Sequence, residues 1–152
     1  MYSSFRLCIY NSEDNELLKR VEYKNDFNIN NILWSKDNTY FCAAFSKDQL
    51  VLVNAATGEI KKTFQSKSFG FYQSNLIAIT NENEITSYSL EDDKVNFNRK
   101  LDATIKSFSL NKEHNILLLF NESGHIIFVD PSSGTKQDSV TDISLSNYIV
   151  KK

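Results

Sequence analysis

Four apolar positions along the chain are separated by the same interval of 37 residues. Trp34, Phe71 and Phe108 are aromatic, and Leu145 continues the series. A fixed period between about 20 and 50 residues is typical of a chain that repeats one supersecondary unit. The repeat therefore constrains the fold more strongly than it constrains the function.

Each repeat divides into short apolar runs that are separated by turn clusters. In the first repeat the runs are residues 29–35, 40–45, 49–53 and 60–64. Runs of this length, rich in β-branched and aromatic side chains, predict strands of an antiparallel meander. The third run is apolar on both faces, and no helical periodicity competes with the pattern. The sequence thus predicts an all-β fold built from four-stranded antiparallel units.

The two ends of the chain read as two halves of one further unit. Leu7–Asn11 is similar to Leu50–Asn54 at an offset of 43 residues, so the chain begins with a third strand. The runs 143–145 and 148–150 are typical of a first and a second strand. We therefore predict a single domain, 1–152, with whole units at 29–64, 66–101 and 103–140 and a unit split between 4–23 and 141–151.

Units of this length and strand number resemble the blades of a β-propeller, and residues 32–59 are similar to a divergent WD-repeat blade. Asp48 stands at the turn aspartate position, and Val53-Asn54 and Val129-Asp130 stand where the Trp-Asp pair would be. The resemblance covers residues 4–150. No unit carries the Gly-His dipeptide of the loop between blades, so the usual hydrogen-bonded tetrad cannot form. A quinoprotein-like propeller is the alternative.

Charge and the scarcity of reactive groups exclude several function classes. The net charge of −2 and the pI near 5.7 argue against non-specific nucleic-acid binding. His114 and His125 are the only histidines and have no metal-ligand spacing. We predict no enzyme activity, no cofactor and no metal. Cys8 and Cys42 lie in apolar runs, which predicts buried free thiols, and the absence of a long apolar run predicts no membrane span. A cytoplasmic or nuclear location is expected.

The resemblance implies a non-catalytic scaffold, a subunit of a larger intracellular complex that binds proteins through its inter-blade loops. The loop residues that it implies as partner-binding are Lys24, Asp26, Lys47, Asp48, Gln65, Lys67, Glu82, Asn83, Asp102 and Glu122.

WD propellers usually have seven or eight blades, and this chain encodes about four. Four arrangements stay open: a ring closed by the split unit, a homodimeric ring, completion by a partner protein, and a fragment of a longer propeller. The basic pairs Lys61-Lys62 and Arg99-Lys100 support the alternative of an RNA-associated component of a ribosome or ribosome-assembly particle.

Overall fold

The computed structural model describes residues 4–24, 28–46 and 48–140. Within those ranges the regular secondary structure consists of β-strands. The strands, in chain order, are β1 (Ser4–Tyr10), β2 (Leu17–Lys24), β3 (Ile29–Trp34), β4 (Tyr40–Phe45), β5 (Gln49–Asn54), β6 (Ile60–Tyr72), β7 (Asn75–Thr80), β8 (Glu84–Ser89), β9 (Val95–Lys100), β10 (Ile105–Asn111), β11 (Ile116–Asn121), β12 (Ile126–Val129) and β13 (Lys136–Val140). The chain divides into two compact units, Met1–Ser66 and Lys67–Lys152.

Unit 1 holds a two-stranded sheet, β1 with β2, and an antiparallel meander of β3, β4, β5 and the first half of β6. Strand β5 is the centre of this meander, and its side chains from Leu50 to Val53 are all buried. The prediction of a strand apolar on both faces is confirmed, because neighbouring residues of a strand point to opposite faces. One core cluster of the unit consists of Val21, Phe41, Ala43, Phe45, Val51 and Val53, and Cys42, Leu50 and Leu52 are buried as well.

Unit 2 repeats the arrangement twice. The second half of β6 forms a meander with β7, β8 and β9, and β10 to β13 form a separate four-stranded antiparallel sheet. The buried core of the unit draws on both sheets and consists of Tyr72, Ile77, Ile79, Ile85, Phe97, Ile105, Leu117, Leu119 and Val129.

One predicted strand boundary is wrong. The sequence predicts separate strands at 60–64 and 69–72, whereas β6 runs without a break from Ile60 to Tyr72. The linking residues 65–68 are Gln-Ser-Lys-Ser and include no Gly or Pro to redirect the backbone. The backbone N–H of Ser66 also donates to the Asp48 carbonyl at 2.6 Å, which holds the link extended.

The turns repeat more faithfully than the sequence does. A six-residue turn opens at Asn11, Asn54, Ser89 and Asp130. In each one, the first residue's N–H donates to the carbonyl of the residue five positions later, at 2.8–2.9 Å. The fifth residue of each turn has a left-handed φ of 58–71°. The first two turns are 43 residues apart, which matches the offset found between the strands that precede them.

Asparagine takes many of the left-handed positions that glycine usually takes. In the described part of the chain, four of the seven non-glycine residues with positive φ are asparagines: Asn15, Asn38, Asn83 and Asn115. Asn tolerates this conformation because its short side chain bonds locally to the backbone. The scarcity of glycine is therefore compatible with many tight turns.

The prediction for the cysteines is half right. Cys42 is buried, but Cys8 is exposed. Its neighbours Leu7 and Ile9 pack on the core of unit 1, so the alternation along β1 directs Cys8 to the opposite, uncovered face. The segment 141–151, predicted to complete the split unit, lies outside the described residues.

Candidate functional site

An apolar groove of about 560 Å³ lies in unit 1, between β1, β2, β3 and the turns that follow β1, β3 and β5. Its apolar lining comes from Ile9, Tyr10, Leu18, Trp34, Ala55 and Ala56. We refer to this cavity as the Trp34 groove.

Several large apolar side chains are exposed around this groove. Among the side chains whose exposure the structure describes, six large hydrophobic ones are exposed, and five of them belong to unit 1. Three line the groove: Tyr10 is 57% exposed, Leu18 is 59% exposed and Trp34 is 44% exposed. Contiguous exposed apolar surface of this kind usually marks a binding site, whereas scattered single residues do not.

Trp34 is held in place from beneath. Its ring packs on the ring of Phe41, with 5.2 Å between centroids and 47° between planes. Phe41 is only 2% exposed and belongs to the core of unit 1. The indole is therefore fixed by the core on one side and open to a ligand on the other, and such preorganisation lowers the entropic cost of binding.

The turn after β3 fixes the backbone that carries Trp34. The N–H of Ser35 donates to the carbonyl of Tyr40 at 2.9 Å, and the buried Ser35 hydroxyl donates to the Asp37 carboxylate at 2.7 Å. Thr39 adds a hydroxyl donor at 2.7 Å to the same carboxylate. These hydrogen bonds lower the pKa of Asp37 to about 2, so the carboxylate is ionised near neutral pH.

Two asparagine turns form the other walls of the groove. The side-chain oxygen of Asn11 accepts the N–H of Glu13 at 3.0 Å, and that of Asn54 accepts the N–H of Ala56 and of Thr57, each at 3.0 Å. Asn11 lines the groove, as does Ala56. Local hydrogen bonds of this type stiffen short turns without any contribution from a core.

The three turns around the groove carry an excess of negative charge. Residues 11–16, 35–39 and 54–59 contain one base, Lys36. They contain five exposed carboxylates: Glu13, Asp14, Glu16, Asp37 and Glu59. Lys19, on β2, lies against Gly58 of the third turn. The rim of the groove is thus acidic and its floor is apolar.

Of the residues predicted to bind a partner, none in the described ranges lines the Trp34 groove. Asp48 is exposed in the turn between β4 and β5, and Gln65 pairs with Gln49 beside that turn. In unit 2 the carbonyl of Asn83 accepts the N–H of Leu101 at 2.9 Å, beside Asp102 and Glu82. The N–H of Glu122, which follows β11, donates to the carbonyl of Thr104, which precedes β10, at 3.1 Å.

Three of the predicted loop positions are strand positions. Lys24 ends β2, while Gln65 and Lys67 lie inside the continuous strand β6. Asp26 and Lys47 lie outside the described residues. The contribution of these ten residues to partner binding stays a prediction.

By its position in the repeat, Trp34 is equivalent to Phe71 and Phe108, so the sequence pattern did not predict the groove. Phe71 is 4% exposed and Phe108 is half-buried, whereas Trp34 is far more exposed. One signal was available. Leu17 and Leu18 are adjacent in β2, and adjacent strand residues cannot both face one core.

Throughout the described ranges, no three His, Cys, Asp or Glu side chains converge in a way that would hold a metal ion.

A second pocket of about 490 Å³ lies in unit 2, with Arg99, Lys100 and Lys136 beside Ile127 and Val129. Within the same ranges, no helix has the length and hydropathy needed to cross a bilayer.

Comparisons with known proteins support the fold. The C-terminal WD40 domain of Sif2 is similar to this chain with a TM-score of 0.73 at 17% identity, over 91% of this chain and 41% of that one. Hsv2 of Kluyveromyces lactis is similar with a TM-score of 0.71 at 15% identity, over 88% of this chain and 43% of that one. BamB of Moraxella catarrhalis is similar with a TM-score of 0.62 at 14% identity, over 90% of this chain and 50% of that one. No protein-family model and no curated protein matches the sequence.

The chain has a WD-repeat-like β-propeller fold, and the prediction of an all-β propeller of antiparallel blades is confirmed. It spans between two fifths and one half of the length of the propellers that it matches, which fits a partial propeller. At these levels of identity the likeness shows the fold alone. Any role must therefore be argued from the site.

Proposed function

We propose that this chain is a non-catalytic protein-interaction scaffold, a WD-repeat-like subunit of a larger complex, and that it binds protein through the Trp34 groove. The observation that carries the proposal is the exposure of Trp34, Tyr10 and Leu18 around one preformed apolar cavity. Tryptophan and tyrosine are enriched among the residues that dominate binding energy in protein interfaces.

Covering the exposed side chains of this groove contributes favourable free energy to binding. An aromatic side chain presents roughly 150–250 Å² to burial, so the 44% of Trp34 that is exposed amounts to roughly 100 Å². At about 25 cal/mol per Å², covering it contributes on the order of 2.5 kcal/mol. Covering Tyr10 and Leu18 contributes free energies of similar size. Together these contributions favour the binding of a protein surface over the exposure of the groove to water.

RNA binding, the alternative function, would use a different surface. The acidic rim of the Trp34 groove repels phosphate, whereas the unit 2 pocket has Arg99, Lys100 and Lys136 on its wall. An RNA-associated role would therefore depend on salt-sensitive contacts at that pocket and would not depend on Trp34. This difference makes the two functions separable by mutation.

The assembly state is also open to a direct test. Light scattering on the 152-residue chain distinguishes a monomer of 17.5 kDa from a dimer of twice that mass. A stable dimer would support a ring built from two copies. A folded monomer would support closure by the chain itself or completion by a different protein.

Capture from native extract with wild-type and variant chains tests the function. Trp34→Ser and Leu18→Ser each alter the groove, and Val95→Ser is a matched control because Val95 is 51% exposed in unit 2. We expect nuclease treatment to leave the captured proteins in place, and we expect both groove variants but not Val95→Ser to lose them. Capture that survives both groove variants, or that disappears with nuclease, would refute the proposal.

A further inference from the structure

The charges around the Trp34 groove narrow the class of partner, an inference that rests on the proposed function. We propose that the groove takes a short segment of a partner protein in which aromatic or aliphatic side chains lie beside lysine or arginine residues. The apolar side chains enter the groove, and the basic residues face the acidic turns that surround it.

The size of the cavity favours a short segment. A volume of about 560 Å³ lies within the range of roughly 300–1,000 Å³ that is typical of pockets for small ligands and short peptide anchors. Such a cavity holds a few large side chains and is too small for the face of a folded domain. Ile9, Ala55 and Ala56 complete its lining with small or partly buried apolar groups that leave room for an inserted side chain.

The acidic turns supply the charge complementarity. Glu13 and Asp14 belong to the turn that contributes Asn11 and Ser12 to the groove, and Asp37 precedes the groove residue Asn38. Salt screens charges beyond roughly 8 Å at physiological ionic strength, so we expect the carboxylates of the turns that line the groove to attract a cation bound there. Hydrogen bonds from Ser35 and Thr39 lower the pKa of Asp37 to about 2, so this carboxylate carries its negative charge at physiological pH.

The same charges disfavour other occupants. Nucleic acid and anionic lipid surfaces carry the same sign of charge as the rim. Within the described ranges the carboxylates do not converge as metal ligands, which disfavours a metal ion as the occupant. A second copy of this chain has a net charge of −2 and lacks overall complementarity to an acidic rim.

Peptide selection tests the inference. A phage library of random 12-residue peptides is panned on the wild-type chain after depletion on Trp34→Ser. We expect enriched sequences that combine Phe, Tyr, Trp or Leu with Lys or Arg. The most enriched sequence is then synthesised with a fluorescein label, with Phe in place of any Trp, and its affinity is measured by fluorescence polarisation.

Variants of the chain separate the apolar and the charged contributions. Loss of a central aromatic anchor typically weakens binding by about 30-fold, which is the effect that we expect for Trp34→Ser. We expect the double reversal Glu13→Lys with Glu16→Lys to weaken binding roughly tenfold at low salt, and the difference to shrink at high salt. Glu91→Lys is the matched control, because Glu91 holds the same position in the equivalent turn of unit 2. It is expected to bind within about twofold of wild type, because it leaves the residues that line the groove unchanged.

The outcomes are distinct. Enriched peptides that lack basic residues, or charge reversals without effect, would overturn the inference and leave protein binding at the groove intact. Self-association that is lost in Trp34→Ser, without groove-dependent peptides, would make the occupant a second copy. Failure of the capture experiment as well would remove the proposed function itself.

Discussion

Replacing Gly134 with alanine should destabilise unit 2 through a defined steric clash. Gly134 has a φ of +70°, and a Cβ atom built there would lie 2.5 and 2.7 Å from two ring carbons of Phe97. Carbon atoms pack at about 3.5–4.0 Å, so the ring must move. Phe97 belongs to the buried core of unit 2, where movement disturbs its neighbours.

A second glycine isolates the conformational part of the cost. Gly124 has a φ of +81°, but a Cβ atom there meets nothing within 4 Å. Gly124→Ala should therefore lower the free energy of unfolding by about 1 kcal/mol, the cost of a left-handed alanine. Gly134→Ala adds overpacking of about 1–3 kcal/mol, for a total near 3 kcal/mol.

Urea unfolding followed by circular dichroism measures both costs in the same unit of the structure. With a slope of about 2 kcal/mol per M, the two midpoints should differ by about 1 M. In a Phe97→Leu background the extra cost of Gly134→Ala should fall, because the clashing ring is gone. Equal destabilisation by the two glycine variants, or no coupling to Phe97, would refute the reasoning.

Three further predictions follow from burial and hydrogen bonding. Burial raises the pKa of the Cys42 thiol to about 12, whereas Cys8 is exposed. Ellman's reagent should therefore modify one thiol in the folded chain and the second only after unfolding, and Cys8→Ser should remove the fast reaction. The pKa of Asp37 is lowered from 3.8 to about 2, so its carboxylate stabilises the fold above pH 4 and this contribution disappears as pH falls towards 2. Asp37 is exposed, so Asp37→Asn should reduce this acid dependence by less than about 1 kcal/mol in urea titrations at pH 7 and pH 2.5. Ile77→Ala should lower the free energy of unfolding by roughly 2–5 kcal/mol, since Ile77 is fully buried in the unit 2 core, and a loss below 1 kcal/mol would contradict that burial.

Much of the fold is readable from the sequence because strand patterning is local. The continuous apolar run of β5 and the turn residues Asn54 to Gly58 predict the strand and its end without knowledge of the rest of the chain. The continuous strand β6 was missed because only a long-range hydrogen bond, from Ser66 to Asp48, keeps its linking residues extended. Local composition does not carry that information.

The candidate site was harder to predict because it depends on a difference between repeats. Trp34 occupies the same repeat position as the buried Phe71, yet it lies at the end of its strand beside two turns and is 44% exposed. Whether a repeat position is covered depends on which side chains neighbouring elements place over it. A single repeat does not encode that property.

Trp34 is the only tryptophan in the chain, and it therefore reports directly on the occupancy of the groove. The central measurement is its fluorescence emission and acrylamide quenching before and after addition of the selected Trp-free peptide. If the groove is the binding site, the emission maximum moves to shorter wavelength and quenching decreases as the indole is buried. A peptide that binds the chain with both quantities unchanged would show that partners bind elsewhere.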